Sequence, residues 1–195
     1  RAHPTLGRVA GPGGLVVHDV RAEATEPFVA KGATAAASPA ELARQAPVIC
    51  VVVQNEEQVR GVLEGPDGIL AGAAPGAVVA VHSTISAEGA VALGELAAGS
   101  GAELLDAPVS GGAAGAHSGT LAVMVGGSDG AVERATPVLE RFATMVQHMG
   151  PVGAGTRTKI ARNLVTFVSF AAVGEAQRLA EAAGLDLAKL GEVVR

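Results

Sequence analysis

Residues 48–63 read VICVVVQNEEQVRGVL, an apolar run followed by a polar and charged stretch. The run VICVVV is typical of a β-strand buried on both faces, and residues 56–63 are typical of a helix. The same order recurs at VVAVH (78–82), which precedes a helical pattern over residues 86–98. This alternation predicts a doubly wound α/β fold, with a parallel sheet that helices cover on both faces.

The pattern continues on both sides of this stretch. LVVHD (15–19) predicts a strand with a helix near residues 23–31 after it, and Ser38 predicts the cap of a further helix. Three more strands are predicted at ELLDAP (103–108), TLAVMVGG (120–127) and TMVQHMG (144–150), with a helix near residues 129–142. We therefore expect a Rossmann-like, dinucleotide-binding domain over residues 1–152.

From residue 155 the sequence predicts one helix that runs almost to Gly184, about 40 Å long at 1.5 Å per residue. Such a helix is too long for an ordinary crossover between strands. We expect it to lead into an all-α domain that is mostly absent, with residues 153–195 as its beginning. Because several faces of this helix are apolar, we also expect a homodimer or homotetramer.

Composition narrows the classes of function. The chain is 49% hydrophobic and 17% charged with a net charge of −5, and its charges are scattered, which argues against a nucleic-acid surface. Its longest apolar run, residues 164–173, is about half of the 20 residues that a membrane span needs. The single cysteine, Cys50, fits a reducing compartment. We expect a cytoplasmic protein that binds no metal, no nucleic acid and no membrane.

A cofactor site is indicated where the strands end. Doubly wound sheets bind dinucleotides through a glycine-rich loop and an acid about 20 residues later. Asp19 ends LVVHD, where that acid is expected, so the first strand and its loop would precede residue 1 and be missing. Asp19 would accept hydrogen bonds from ribose and repel a 2′-phosphate, which favours NAD, while Arg21 leaves NADP open. A plain strand-end acid is the alternative.

A glycine-rich stretch, DAPVSGGAAGAHSGTLAVMVGG (106–127), separates two predicted strands and contains six glycines. Gly111 and Gly112 directly follow Ser110, so a turn there would expose backbone N–H groups that can hold a carboxylate. The alternative is a tight turn with no ligand.

Lys159 is one of only three lysines and stands near the predicted start of the long helix, with Thr156 as a candidate N-cap. In a first turn the helix dipole and nearby Arg157 would disfavour the ammonium form, as a proton carrier near neutral pH requires. Asn163 lies four residues later and would share the same helix face. The alternative is a solvated lysine that carries no proton.

The motifs DAPVSGG…GTLAVMVGG and GPVGAGTRTKIARN, together with VHSTIS and GATAAASPAEL, closely resemble the β-hydroxyacid dehydrogenase family of the 3-hydroxyisobutyrate dehydrogenase type. The resemblance covers almost the whole chain. It implies an NAD(P)-dependent oxidoreductase that transfers a hydride between the nicotinamide and a small β-hydroxyacid or its semialdehyde.

The resemblance also implies roles for individual residues. Lys159 corresponds to the lysine that carries the hydroxyl proton, and Asn163 to the asparagine that holds the substrate oxygen. The carboxylate of the substrate would bind at Ser110, Gly111 and Gly112. The remaining cofactor contacts of the family correspond to Val53, Gln54, Gln58 and Thr84.

The chain departs from the family pattern in two places. Val53-Gln54 replaces the usual Leu-Pro, which weakens that cofactor assignment, and Arg162 replaces the first of two asparagines. Two other functions stay open. An imine reductase shares the fold but usually lacks the lysine, and a non-catalytic relative would usually lose the lysine or the Ser-Gly-Gly segment.

Overall fold

The computed structural model describes residues 14–194. The contacts within the chain define two compact units, residues 1–159 and residues 160–195, and the boundary falls inside one long helix. Predictions that concern a first strand or a glycine loop before LVVHD lie outside the described residues. The predicted division between residues 152 and 153 stays a prediction.

Residues 14–194 contain eight β-strands, most of them at the predicted places. They are β1 (Val16–Val17), β2 (Thr34–Ala35), β3 (Val48–Val51), β4 (Val78–Val81), β5 (Glu103–Asp106), β6 (Val109–Ser110), β7 (Leu121–Gly126) and β8 (Ala143–Gly150). Strand β6 was not predicted, because two residues are too short to give a periodic signal.

Nine α-helices lie within the same described range. They are α1 (Glu26–Val29), α2 (Pro39–Gln45), α3 (Glu56–Leu63), α4 (Ile69–Gly72), α5 (Ala87–Gly99), α6 (Gly112–Ser118), α7 (Asp129–Leu139), α8 (Ala154–Ala182) and α9 (Leu187–Val193). The predicted cap of α2 is confirmed, since the Ser38 hydroxyl accepts a hydrogen bond from the Glu41 amide at 3.2 Å. The helix predicted near residues 23–31 is reduced to a short 3-10 turn and α1.

The expectation of a purely parallel sheet is wrong for part of the six-stranded sheet, whose path is β3-β4-β5-β7-β6 with β8 paired to β7. Strands β3, β4 and β5 are parallel, but β7 is antiparallel to both β5 and β6. Only residues 111–120 join β6 to β7, which is fewer than the dozen or more residues of a parallel crossover. Strands β1 and β2 form a separate parallel pair.

The core lies on both faces of the large sheet. In β4, Val79 and Val81 belong to one buried cluster with helices α3 and α5, while Val78 and Ala80 belong to another with helix α7. Successive strand residues point to opposite faces, so an entirely buried strand requires cover on both sides. No helix in the described residues is long and apolar enough to cross a membrane.

We expect Val79→Ala to lower the free energy of unfolding by about 2 to 4 kcal/mol, because Val79 is 0% exposed between two neighbouring strands and truncation leaves a cavity. Val20→Ala makes the same chemical change at a residue that is 93% exposed, and should alter stability by less than about 0.5 kcal/mol. Denaturant melts of both variants measure the difference. Equal losses would contradict the assignment of Val79 to the core.

Candidate active site

The Ser-Gly-Gly segment lies where β6 passes into α6. Ser110 ends β6, is buried, and pairs with Ala122 of β7. Gly111 and Gly112 have φ angles of 125° and 59°, which glycine alone adopts without strain. Both glycines are exposed, so their backbone is accessible at this turn. Carboxylate binding at these three residues stays a prediction.

Lys159 reaches the strand that leads into this segment. Its Nζ donates a hydrogen bond of 2.7 Å to the carbonyl oxygen of Val109, the residue before Ser110. The side chain is half-buried. The fold therefore brings together the lysine and the Ser-Gly-Gly turn, which are about 50 residues apart in the sequence.

The start of helix α8 differs from the prediction. The helix begins at Ala154, so Thr156 is its third residue and is not the N-cap, and Lys159 lies in the second turn. The carboxylate of Asp106 fills the capping role, accepting hydrogen bonds of 2.7 Å from the amides of Gly153 and Thr156. A residue at the end of strand β5 can do this because Gly126 and Gly155 have no side chains, whose Cβ atoms would collide with Asp106.

Asn163 lies four residues beyond Lys159 on helix α8, in the second unit, and is half-buried there. Arg162, which replaces the first asparagine of the family motif, is exposed. The role of Asn163 toward a substrate stays a prediction.

Two loops at the carboxyl ends of β3 and β4 carry the predicted cofactor residues. Ser83 links the two loops, because its hydroxyl donates a hydrogen bond to the Val53 carbonyl at 2.6 Å and accepts one from the Val53 amide at 3.1 Å. Thr84 follows directly and is exposed. This is the edge at which open α/β sheets bind their ligands. Val53 and Thr84 therefore lie on neighbouring loops.

Gln54, in the first of these loops, is hydrogen-bonded to Gln58 in the first turn of helix α3. The Gln58 side-chain oxygen accepts from the Gln54 amide at 2.9 Å, and the Gln58 amide donates to the cap residue Asn55 at 2.9 Å. Glu56 connects the two loops from the other side, accepting a hydrogen bond of 2.8 Å from the hydroxyl of Ser86. The edge is ordered by protein contacts, with exposed polar side chains at Gln54 and Gln58.

Asp19 lies two residues beyond the end of β1 and is exposed. Its carboxylate accepts from the Arg21 amide at 2.9 Å and pairs with the Arg21 side chain at 3.4 Å. An acid and a base therefore lie at the same strand end. Contact of either residue with a cofactor stays a prediction.

Sequence reasoning proposed Ser83-Thr84 as a candidate at a strand end, but it missed two residues that organise this edge, Asp106 and His82. Asp106 had a detectable signal in the sequence, because it directly follows the apolar residues of the strand ELLD. Aspartate is seldom fully buried, but Asp106 is only 1% exposed. His82 had none, because its partner Ala107 lies 25 residues away in the sequence.

His82 is a buried histidine at the end of β4. Its Nδ1 lies 2.7 Å from the Ala107 carbonyl, which can only accept, so Nδ1 carries the proton of the neutral ring. The ring packs edge-on against Phe142 with a centroid distance of 5.5 Å, and Nε2 has no hydrogen-bond partner. Burial holds the pKa of His82 below its usual 6.5, although the bond to Ala107 acts in the opposite direction.

The comparison with known proteins agrees with this geometry. The model of the family described as the NAD binding domain of 6-phosphogluconate dehydrogenase matches residues 10–150. The chain belongs to this family, which confirms the Rossmann-like fold and a domain that binds NAD. In residues 14–194 no group of three or more His, Cys, Asp or Glu side chains could hold a metal ion.

Individual relatives extend the likeness. An uncharacterised oxidoreductase of Mycobacterium tuberculosis is 53% identical over 94% of this chain and 62% of its own length. The NAD-dependent L-serine dehydrogenase of Pseudomonas aeruginosa is 39% identical over 93% of this chain and 61% of its own length. A solved structure of M. tuberculosis 3-hydroxyisobutyrate dehydrogenase with L-serine superposes with a TM-score of 0.88, at 36% identity over 98% of this chain and 65% of that one.

These relatives confirm the resemblance to β-hydroxyacid dehydrogenases. The chain spans about three fifths of the length of the curated relatives it matches. An imine reductase of Myxococcus stipitatus is 17% identical with a TM-score of 0.86, a likeness that concerns the fold alone.

The buried His82 predicts a specific pH dependence of stability. The unfolded chain binds a proton at this histidine near pH 6.5, whereas the folded chain does so only at lower pH. Folding stability is therefore lost as the pH falls below about 6.5, by up to about 1.4 kcal/mol per pH unit from this group. In His82→Asn, whose amide can still donate to Ala107, this part of the slope should disappear.

Denaturant melts between about pH 5 and pH 8.5 measure the effect. Above about pH 7.5 His82 is neutral in both states, so the two stability curves should run parallel there and serve as the internal control. Identical slopes of both proteins below pH 6.5 would contradict a neutral, buried His82.

Proposed function

We propose that the full-length protein is an NAD-dependent oxidoreductase that oxidises a small β-hydroxyacid of the 3-hydroxyisobutyrate type or reduces the matching semialdehyde. One observation carries the proposal. The Lys159 Nζ is hydrogen-bonded at 2.7 Å to the carbonyl oxygen of Val109, two residues before the exposed turn at Gly111 and Gly112. A base and a turn suited to a carboxylate thus stand side by side on an NAD-binding domain.

In this proposal Lys159 carries the proton. During oxidation its neutral amine accepts the hydroxyl proton of the substrate, and during reduction its ammonium form returns that proton to the carbonyl oxygen. Bound NAD would supply the acceptor for the hydride that leaves the hydroxyl-bearing carbon, so that the alcohol is oxidised to an aldehyde. The charges balance, because the substrate loses one hydride to the cofactor and one proton to the lysine.

Ser110, Gly111 and Gly112 would hold the carboxylate of the substrate. The buried hydroxyl of Ser110 and the amides of the turn are suitable donors, and a carboxylate fixed there limits how the hydroxyl can approach Lys159. Asn163 would donate to the same substrate oxygen and stabilise the developing alkoxide. This role rests on its match to the family motif.

The dinucleotide would bind along the edge formed by the loops after β3 and β4. Exposed Gln54, Gln58 and Thr84, with the Val53 backbone held by Ser83, supply polar groups at that edge. Asp19 would accept hydrogen bonds from a ribose, which favours NAD over NADP.

Lys159→Ala should lower kcat by about 100- to 10,000-fold, the usual contribution of a positioned acid or base, while the affinity for NADH stays unchanged. The full-length protein is assayed with 3-hydroxyisobutyrate and L-serine, with NAD and NADP in parallel, and NADH binding is measured by fluorescence titration. Lys31→Ala is the matched control, because Lys31 is exposed and is not a candidate site residue.

Unchanged turnover in Lys159→Ala would rule out the lysine as proton carrier. A wild-type protein that binds NADH but turns over neither substrate in either direction would favour the non-catalytic alternative. A higher rate with NADP than with NAD would contradict the role of Asp19.

We also propose that the protein is a homodimer or homotetramer. On helix α8, Phe167 and Phe170 are 63% and 68% exposed, and Leu164 and Val165 are 65% and 68% exposed. An apolar helix surface of this extent requires cover in water. In this proposal a second copy of the chain supplies part of that cover, beside the residues of the full-length protein that lie outside this chain.

The double substitution Phe167→Glu with Phe170→Glu should convert the oligomer to a monomer, because two charges would be buried in the contact without partners. Light scattering of the full-length protein measures the mass. Gln177→Glu, which adds one negative charge at another exposed position of α8, should keep the wild-type mass. A wild-type protein with the mass of one subunit would overturn the proposal.

A cytoplasmic location remains our proposal. It is supported by the single cysteine, Cys50, which can form no disulfide within these 195 residues. Cell fractionation would test it, and recovery outside the cytoplasm would contradict it.

A further inference from the structure

The carboxylate of Asp106 is the acceptor at the start of helix α8. Asp106 is 1% exposed, and its two oxygens accept one hydrogen bond each, at 2.7 Å, from the amides of Gly153 and Thr156. The first amides of a helix have no partner within the helix, and a side-chain oxygen normally satisfies them. Here that oxygen comes from the end of β5, so the sheet itself holds the first turn of the helix.

Two glycines allow this close approach. A Cβ atom at Gly126 would collide with the Asp106 carboxylate, and one at Gly155 would collide with the backbone oxygens of Asp106 and Met124. The first turn of α8 thus rests directly on the ends of β5 and β7. No side chain separates the strand ends from the helix backbone, so the carboxylate is bonded to that backbone directly.

Lys159 follows on the next turn of the same helix. It lies three residues after Thr156, about 4.5 Å along the axis at 1.5 Å per residue, so the position of its backbone depends on the first turn. Its Nζ is hydrogen-bonded to the Val109 carbonyl, three residues after Asp106. The segment from residue 106 to residue 112 therefore contacts both the start of the helix and the lysine amine, and ends in the Ser-Gly-Gly turn.

We propose that Asp106 is the positioning residue of the proton carrier: its buried carboxylate fixes the first turn of α8 and thereby sets the distance between Lys159 and the substrate oxygen. This inference rests on the proposed function. Asp106 acts through Lys159 and touches neither substrate nor cofactor in this role. A misplacement of about 1 Å at a reacting group can lower a rate about 100-fold, so the seating of the helix has a direct kinetic consequence.

Asp106→Asn is the principal test in the full-length protein. The amide keeps the size of the side chain but replaces one acceptor oxygen with an NH2 group, so one of the two helix amides loses its partner. We expect kcat to fall about 10- to 100-fold, while KM for the hydroxyacid and the affinity for NADH change less than about twofold. A purely structural role would not separate kcat from KM in this way.

Ser38→Ala is the control for stability. Ser38 caps helix α2, because its hydroxyl accepts a hydrogen bond from the Glu41 amide. Ser38 is not a candidate site residue. The variant also loses a helix cap, so its melting temperature should fall, but its kcat should stay at the wild-type value.

Gly153→Ala tests the same contact from the other partner. Gly153 has a φ angle of 92°, so an alanine there strains the backbone whose amide donates to Asp106. It should reproduce the selective loss of kcat, and it serves in place of Asp106→Asn if that variant does not fold. Failure of both variants to fold would assign Asp106 to stability alone and overturn the proposal.

The outcomes separate this inference from the proposed function. If Lys159→Ala loses turnover but folded Asp106→Asn keeps the wild-type kcat, the positioning role is wrong and the proton carrier stands. If Lys159→Ala keeps its turnover, the proposed function itself fails. The double variant should be no slower than Lys159→Ala alone, because Asp106 acts only through the lysine. Additive losses would overturn the proposal.

Discussion

The arrangement of the candidate site depends on one buried carboxylate. Asp106 ends a central strand, and its carboxylate accepts hydrogen bonds of 2.7 Å from two amides at the start of helix α8. Without these bonds the two amides would be buried with no partner. A carboxylate is suited to this place, because its negative charge lies at the positive end of the helix dipole. The contact joins the sheet to the helix that carries Lys159.

The surrounding features follow from this contact. Glycine is required at positions 126 and 155, because the carboxylate and the strand backbone occupy the space of a side chain. The antiparallel insertion of β7 beside β5 brings Gly126 opposite Asp106. The chain that leaves Asp106 then forms β6 and the turn at Gly111 and Gly112, so one short segment supplies both the support of the helix and the candidate carboxylate site.

Much of the secondary structure could be predicted from local patterns. The bounds of α3 agree with the prediction, and β3, β4 and α8 lie within two residues of it, because continuous apolar strands and helical periodicity are strong signals. The antiparallel part of the sheet could not be predicted. Strand β6 has two residues and forms only by pairing with β7, which is a contact that no local pattern encodes.

The sequence by itself determined the class of protein: its strand-helix alternation fixed the α/β fold, and its motifs around Ser110 and Lys159 fixed the family. The tertiary structure decided how those motifs meet. It moved the start of α8 to Ala154, gave the capping role to Asp106 in place of Thr156, and set the Lys159 amine against Val109. These contacts join residues about 50 positions apart, and such pairs arise only when strand order and packing bring distant segments together.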